Sequence, residues 1–166
     1  MDRDATLCIE QASEKDVPLI LTFIHELAKY ERLSDSVTAN EERLRVALFG
    51  PHPYAEAVIA YQDQEAIAFA LYYFNYSSFS GLPGLYLEDI FVQPPWRGSG
   101  AGRQLFGYLA QKAIERGCGR MEWAVLNWNE TAIRFYKNLA ADPVQGWTVF
   151  RLSREHLEPL TRETKR

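Results

Sequence analysis

A chain of 166 residues, 47% hydrophobic and 24% charged, is long enough for one domain with a sizeable core, and this balance excludes a long disordered region. A net charge of -4 argues against duplex nucleic acid as a partner, because a phosphate-binding surface needs clustered Lys and Arg. The opening MDRDATLCIE has no apolar core of signal-peptide length and no run approaches the ~20 apolar residues of a membrane span, so a soluble, cytoplasmic chain without membrane contact is expected.

Ala5–Ile9 alternates as a short strand. Ser13-Glu-Lys-Asp16 predicts a helix start with Ser13 as N-cap and Pro18 in the first turns. Leu19, Ile20, Phe23, Ile24, Leu27 and Ala28 recur with helical period, and this helix should fade near Tyr30–Arg32. Thr38-Ala-Asn-Glu41 is a second capping-box pattern, opening a helix to about Phe49 that Gly50-Pro-His-Pro53 stops. Tyr54–Tyr61 and Ala66–Tyr76 read as strands joined by a polar turn, Asn75–Gly84 as a loop, and Leu85–Val92 as a strong strand ended by Pro94-Pro95.

Next come a glycine-rich loop, a helix over roughly Gly102–Arg116, a strand Met121–Leu126 and a helix from Asn129 to about Leu139. A last strand, Trp147–Leu152, a short helix Ser153–Leu160 and a frayed tail Thr161–Arg166 complete the series. This order predicts an α/β (α+β) domain over residues 1–166, with a mixed, mostly antiparallel central sheet and helices on both faces. Two cysteines, Cys8 and Cys118, make neither a disulfide framework nor a zinc site. His25, His52 and His156 have no ligand spacing, so no metal is expected.

Two features carry chemistry. Arg97-Gly-Ser-Gly-Ala-Gly102 follows a strand and opens a helix, where glycines let backbone approach a bulky anion and unpaired first-turn N–H groups face it. A phosphate or pyrophosphate fits there, although a glycine-rich turn is equally a plain strand–helix connection. No Lys-Ser/Thr follows Gly102, so it is not a Walker A loop. Second, Glu88-Asp89 interrupts a strand that otherwise reads as core. Alternation sends the two to opposite faces unless a bulge intervenes, so one faces an interior or cleft, where a carboxylate is costly unless paired or used.

Leu85-Tyr-Leu-Glu-Asp-Ile-Phe-Val92, the glycine loop, and Asn129-Glu130 with Phe135-Tyr136-Lys137 together resemble the GNAT superfamily of N-acetyltransferases. Glu26-Leu-Ala-Lys-Tyr-Glu31, Ala70-Leu-Tyr-Tyr-Phe74, Trp128-Asn-Glu130 and Gly146-Trp147 resemble its diamine (spermidine/spermine) N-acetyltransferase branch, which includes relatives acting on thialysine.

The resemblance implies acetyl-CoA as co-substrate. Ile90, Phe91 and Val92 would receive it, with Arg97, Gly98, Ser99, Gly100, Ala101, Gly102 and Arg103, and with Asn129 and Tyr136. It implies direct acetyl transfer to a small cationic amine, with Glu88 or Asp89 taking the proton and Tyr136 protonating the departing thiolate. Glu31, Glu88, Asp89, Glu122 and Trp147 would form the amine side, with Asp35 and Phe79 as possible additions, and Lys137 would lie near the CoA phosphates. A homodimer is implied as well. The chain departs from the branch pattern at Phe79, where the branch tends to have tryptophan, and at Glu122 and Gln145, which puts the chain length of the amine in doubt.

Overall fold

The computed structural model describes residues 7–163, which divide into two compact units, one ending at Leu126 and the other beginning at Asn127. The first unit holds β1 (Cys8–Gln11), α1 (Val17–Tyr30), α2 (Glu41–Phe49), β2 (Glu56–Gln62), β3 (Glu65–Ser77), β4 (Leu82–Val92), α3 (Ala101–Glu115) and β5 (Arg120–Trp123). The strands lie in the order β1-β2-β3-β4-β5, antiparallel except for the β4–β5 pair.

Period-two alternation assigns the sheet faces. Ala57, Ile59, Phe69, Leu71 and Phe91 pack with Val17, Ile20 and Phe23 of α1 and with Leu44 and Leu48 of α2. Phe23 stacks on Phe69 at 5.2 Å. The intervening residues Val58, Ala68, Ala70 and Tyr72 are equally buried and face the other way. There α3 lies against β3, β4 and β5, burying Leu105 and Leu109. Helices thus cover both faces of a mixed, mostly antiparallel sheet, as its residue pattern predicts.

Several boundaries differ from the sequence reading. The first strand is Cys8–Gln11; the part of its predicted span at residues 5–6 lies outside the described residues, as do 164–166 of the predicted tail. At the start of α1, the Asp16 carboxylate accepts from both the N–H and the hydroxyl of Ser13 (2.8 and 2.7 Å), which fixes a short 3-10 turn ahead of the helix. The cap of α2 is Asn40, not Thr38: its side-chain oxygen accepts the Arg43 N–H at 2.9 Å. Asn75–Gly84 is no loop. β3 and β4 pair to Ser77↔Leu82, and Gly81, at φ 69°, closes a four-residue turn. The polar, glycine-containing composition reads as loop, but cross-strand pairing overrides it.

The second unit contains α4 (Glu130–Lys137) and α5 (Arg154–Glu163). The strand expected at Trp147–Leu152 is not formed, and Trp147, Val149 and Phe150 are 75%, 91% and 91% exposed. A strand exists only where a neighbour satisfies its backbone, and among the described residues this segment has none. The strand expected over Met121–Leu126 likewise ends at Trp123, where its pairing with β4 stops.

Candidate active site

The register of β3 against β4 slips by one residue at the acidic pair. Leu71 pairs with Asp89 and Tyr72 with Leu87, leaving Glu88 as the extra residue of a β-bulge. Upstream, Tyr86 lies across from Tyr73, their rings 5.1 Å apart, and Glu88 continues that face. Downstream, Asp89 lies across from Leu71 and shares the parity of Phe91, which packs in the α1 core. The bulge therefore turns both carboxylates toward the face that α1 covers, the exception that the alternation argument required.

Glu31, the half-buried C-cap of α1, joins them. Burial, then the negative charges of Glu88 and Glu31, raise the Asp89 carboxyl from the ordinary aspartate range to about 6. Burial also raises Glu31. The Tyr73 phenol is raised by burial and then by Glu88, which places that ring beside the cluster. Tyr73 and Tyr86 enter the sequence reading only within strand motifs and not as site residues, because their facing depends on a hairpin register that composition does not reveal.

Next to the acids the sheet opens. The ladder of β4 with β5 ends at Leu87↔Trp123, while β4 continues to Val92. Gln93 donates its N–H to Ile67 O at 2.9 Å, so alternation makes Phe69/Phe91 and Leu71/Asp89 the hydrogen-bonded pairs. The N–H and C=O groups of Ile90 and Val92 thus point away from β3, into the opening. Phe91 does not belong with them. Its main chain pairs with β3 and its ring is in the core, so its N–H and C=O do not face the opening.

The glycine loop follows. Gly98 (φ 81°) and Gly100 (φ 95°) are both left-handed, and Gly100 is the N-cap of α3. A Cβ at either would meet nothing within 4 Å, so the backbone fronts open space. Ser99 secures the turn through its hydroxyl to Trp96 O at 2.7 Å. The first-turn N–H groups of Gly102 and Arg103, behind Ala101, have no helical acceptor. Positive-φ glycines, open frontage and a helix N-terminus fit a diphosphate. The Arg97 side chain turns elsewhere: its Nε donates to Val92 O at 3.0 Å, and its guanidinium lies 4.4 Å over the Tyr30 ring.

Glu122 lies across from Tyr86 on β5, on the same sheet face as the acids. Glu122 is held by Arg120 (2.9 Å) and by Asn75 (3.3 Å), so its charge is answered locally. Asp35 is exposed in a 3-10 turn, and Phe79 is 93% exposed at the β3–β4 turn. In the second unit, Asn129 is 7% exposed and caps α4 by accepting the Ala132 N–H at 3.2 Å. Tyr136 is half-buried, its ring 5.6 Å from that of Phe135, and Lys137 is exposed. Trp147 stands exposed in the irregular segment.

Comparison with known proteins gives the family of the chain. The profile of the acetyltransferase (GNAT) family matches residues 22–140. The chain is 38% identical to thialysine N-epsilon-acetyltransferase of Sus scrofa, over 94% of this chain and 98% of that protein. It is 35% identical to spermidine/spermine N(1)-acetyltransferase-like protein 1 of Homo sapiens, over 90% of this chain and 23% of that protein. Among solved structures, an integron cassette protein from the mobile metagenome of V. cholerae superposes with a TM-score of 0.77 at 28% identity, covering 94% of this chain and 98% of that one. By profile, relatives and architecture together, the chain belongs to the acetyltransferase (GNAT) family.

Proposed function

We propose that this acetyltransferase moves the acetyl group of acetyl-CoA directly onto a primary amine of a small cationic substrate, a di- or polyamine or a thialysine-like amino acid. The observation that carries the reading is the gathering of Glu31, Glu88 and Asp89 on one sheet face. The charges that raise Asp89 there, those of Glu88 and Glu31, are both negative, and such a site suits a cationic substrate. The names of the relatives, thialysine and spermidine/spermine acetyltransferases, support the same class.

An alkylamine with a pKa near ~10 arrives charged and must lose a proton before it attacks. Glu88, exposed at the bulge, accepts that proton directly or through a water. Asp89 and Glu31 hold the remaining positive charge. Acetyl-CoA supplies the thioester carbonyl. The main chain from Gly98 to Arg103 would hold its diphosphate, and the outward groups of Ile90 and Val92 its arm. Tyr136 donates a proton to the leaving thiolate, with Asn129 fixing the start of its helix. The family profile runs across both units, which supports their working as one catalytic domain. Trp147 is kept as an amine contact.

A panel of spermidine, diaminopropane, thialysine, lysine and an aminoglycoside, read by thiol release from acetyl-CoA, tests the proposal. Turnover is expected with at least one of the first three. CoA binding without turnover of any amine overturns it.

The enzyme is also proposed to be a homodimer. Trp147, Val149 and Phe150, all exposed within four residues, support this, since large apolar side chains grouped on a surface mark interaction sites. Sedimentation velocity should give about twice the 19.1 kDa chain mass; a monomer throughout the micromolar range refutes it.

A further inference from the structure

Arg97 occupies the first position of the glycine loop, yet its side chain reaches back toward β4 and α1. Its Nε donates to the carbonyl of Val92 at 3.0 Å, and its Cζ lies 4.4 Å from the centre of the Tyr30 ring and 5.3 Å from that of Phe91. One guanidinium thus joins the loop to the last residue of β4, to a core ring of the same strand and to the last residue of α1. Tyr30 is followed directly by Glu31, whose own N–H closes the helix onto Leu27 O at 2.9 Å. Few freely rotating bonds separate the loop from the backbone that carries the Glu31 carboxylate.

We propose that Arg97, acting through Tyr30, is a positioning residue that couples occupancy of the glycine loop to the placement of Glu31, and so to affinity for the amine. The inference rests on the functional reading above and adds a communicating element to it. Arg97 acts by geometry. The charges felt by Asp89 are those of Glu88 and Glu31, and the guanidinium is engaged with two aromatic faces and a carbonyl. A planar guanidinium donates in its plane while stacking on its face; an ammonium cannot hold both contacts in that geometry. A ligand that orders residues 97–102 fixes the stack on Tyr30, and an amine that fixes Glu31 does the same from the other side. Such coupling is reciprocal.

The test compares the full-length wild type with R97A, R97K, Y30A, Y30F and the double variant R97A/Y30A, after circular dichroism has confirmed folding. Amine KM, acetyl-CoA KM and kcat are measured with the best amine of the panel, and calorimetry gives the affinity for that amine with and without CoA. R97A, R97K and Y30A are each expected to raise the amine KM roughly threefold to tenfold. Y30F keeps the ring and with it the stack, and should raise the amine KM less than Y30A does. The double variant should do no worse than either single, as residues in one contact chain are non-additive. CoA should tighten amine binding in the wild type and lose that effect in R97A. Glu31→Gln separates this inference from the reading beneath it. If E31Q raises the amine KM while R97A and Y30A alter only the acetyl-CoA KM, the coupling is refuted and the acidic site stands. If E31Q leaves the amine KM unchanged, the site reading fails and the coupling falls with it.

Discussion

Replacing Tyr136 by phenylalanine is expected to lower kcat by about 100-fold or more, with the affinity for CoA changed less than about twofold. The argument begins with the helix. α4 has eight residues, and its start is fixed by the buried Asn129, whose side chain accepts the Ala132 N–H. The Tyr136 ring is half-buried and meets Phe135 edge to face at 5.6 Å. Phenylalanine keeps the ring and this contact and removes one oxygen, so the fold should be unaffected. A phenol with an ordinary pKa near ~10 lies not far above a thiol near ~8.5, which makes it a workable proton donor to a thiolate. Pre-steady-state acetyl transfer and equilibrium CoA binding, measured on the same preparation, check the result. A variant with wild-type kcat would remove Tyr136 from the mechanism.

The second large effect concerns Asp89, whose carboxyl titrates at about 6 because burial and two neighbouring acids oppose its ionisation. Holding an ammonium requires the ionised form, so kcat/KM should fall as pH drops through 6. Asp89→Asn should abolish that inflection and lower kcat/KM at pH 7.5 by about tenfold or more. Stability should move the other way. Between the unfolded aspartate pKa near ~4 and the folded value of about 6, the native state binds more proton than the unfolded chain, so stability falls as pH rises through this window. Above 6 the whole penalty is present. Asparagine carries none, so the variant should gain about 1–2 kcal/mol at pH 7.5, and the gain should vanish below about pH 4. Thermal melts of both proteins at pH 4 and 7.5 read this directly. A variant equally stable and equally active at pH 7.5 would show that Asp89 is neither strained nor used.

Much of the architecture is legible wherever one physical pattern dominates. The apolar rows of α1 identify their own buried face, and the glycine loop predicts a strand–helix junction that the structure places at Gly100. Legibility fails where a remote neighbour decides. Residues 147–152 have strand-forming side chains but, among the described residues, no ladder partner, whereas residues 75–84 have turn-forming ones and are paired on both sides of a four-residue turn. The site divides in the same way. Glu31, Glu88 and Asp89 stand out as residue types, but their shared face depends on where the register slips. Glu122 resembled its acidic neighbours in the sequence until Arg120 and Asn75 were found beside it. Arg97 carries a phosphate-binding signature, while its side chain follows Tyr30, a contact across 67 positions of chain that no local motif encodes.

The extra residue in β4 ties the charge on its α1-facing side to the length of the strand. Exchanging the amino acid at 88 alters a charge and preserves the phasing of both halves. Excising it would set Leu87 and Asp89 side by side opposite Tyr72 and Leu71, so Asp89 and Phe91 would keep the face that α1 covers and Ile90 and Val92 the other. The aromatic packing would survive and only one carboxylate would leave the acidic face, so loss of residue 88 should cost turnover and spare the fold.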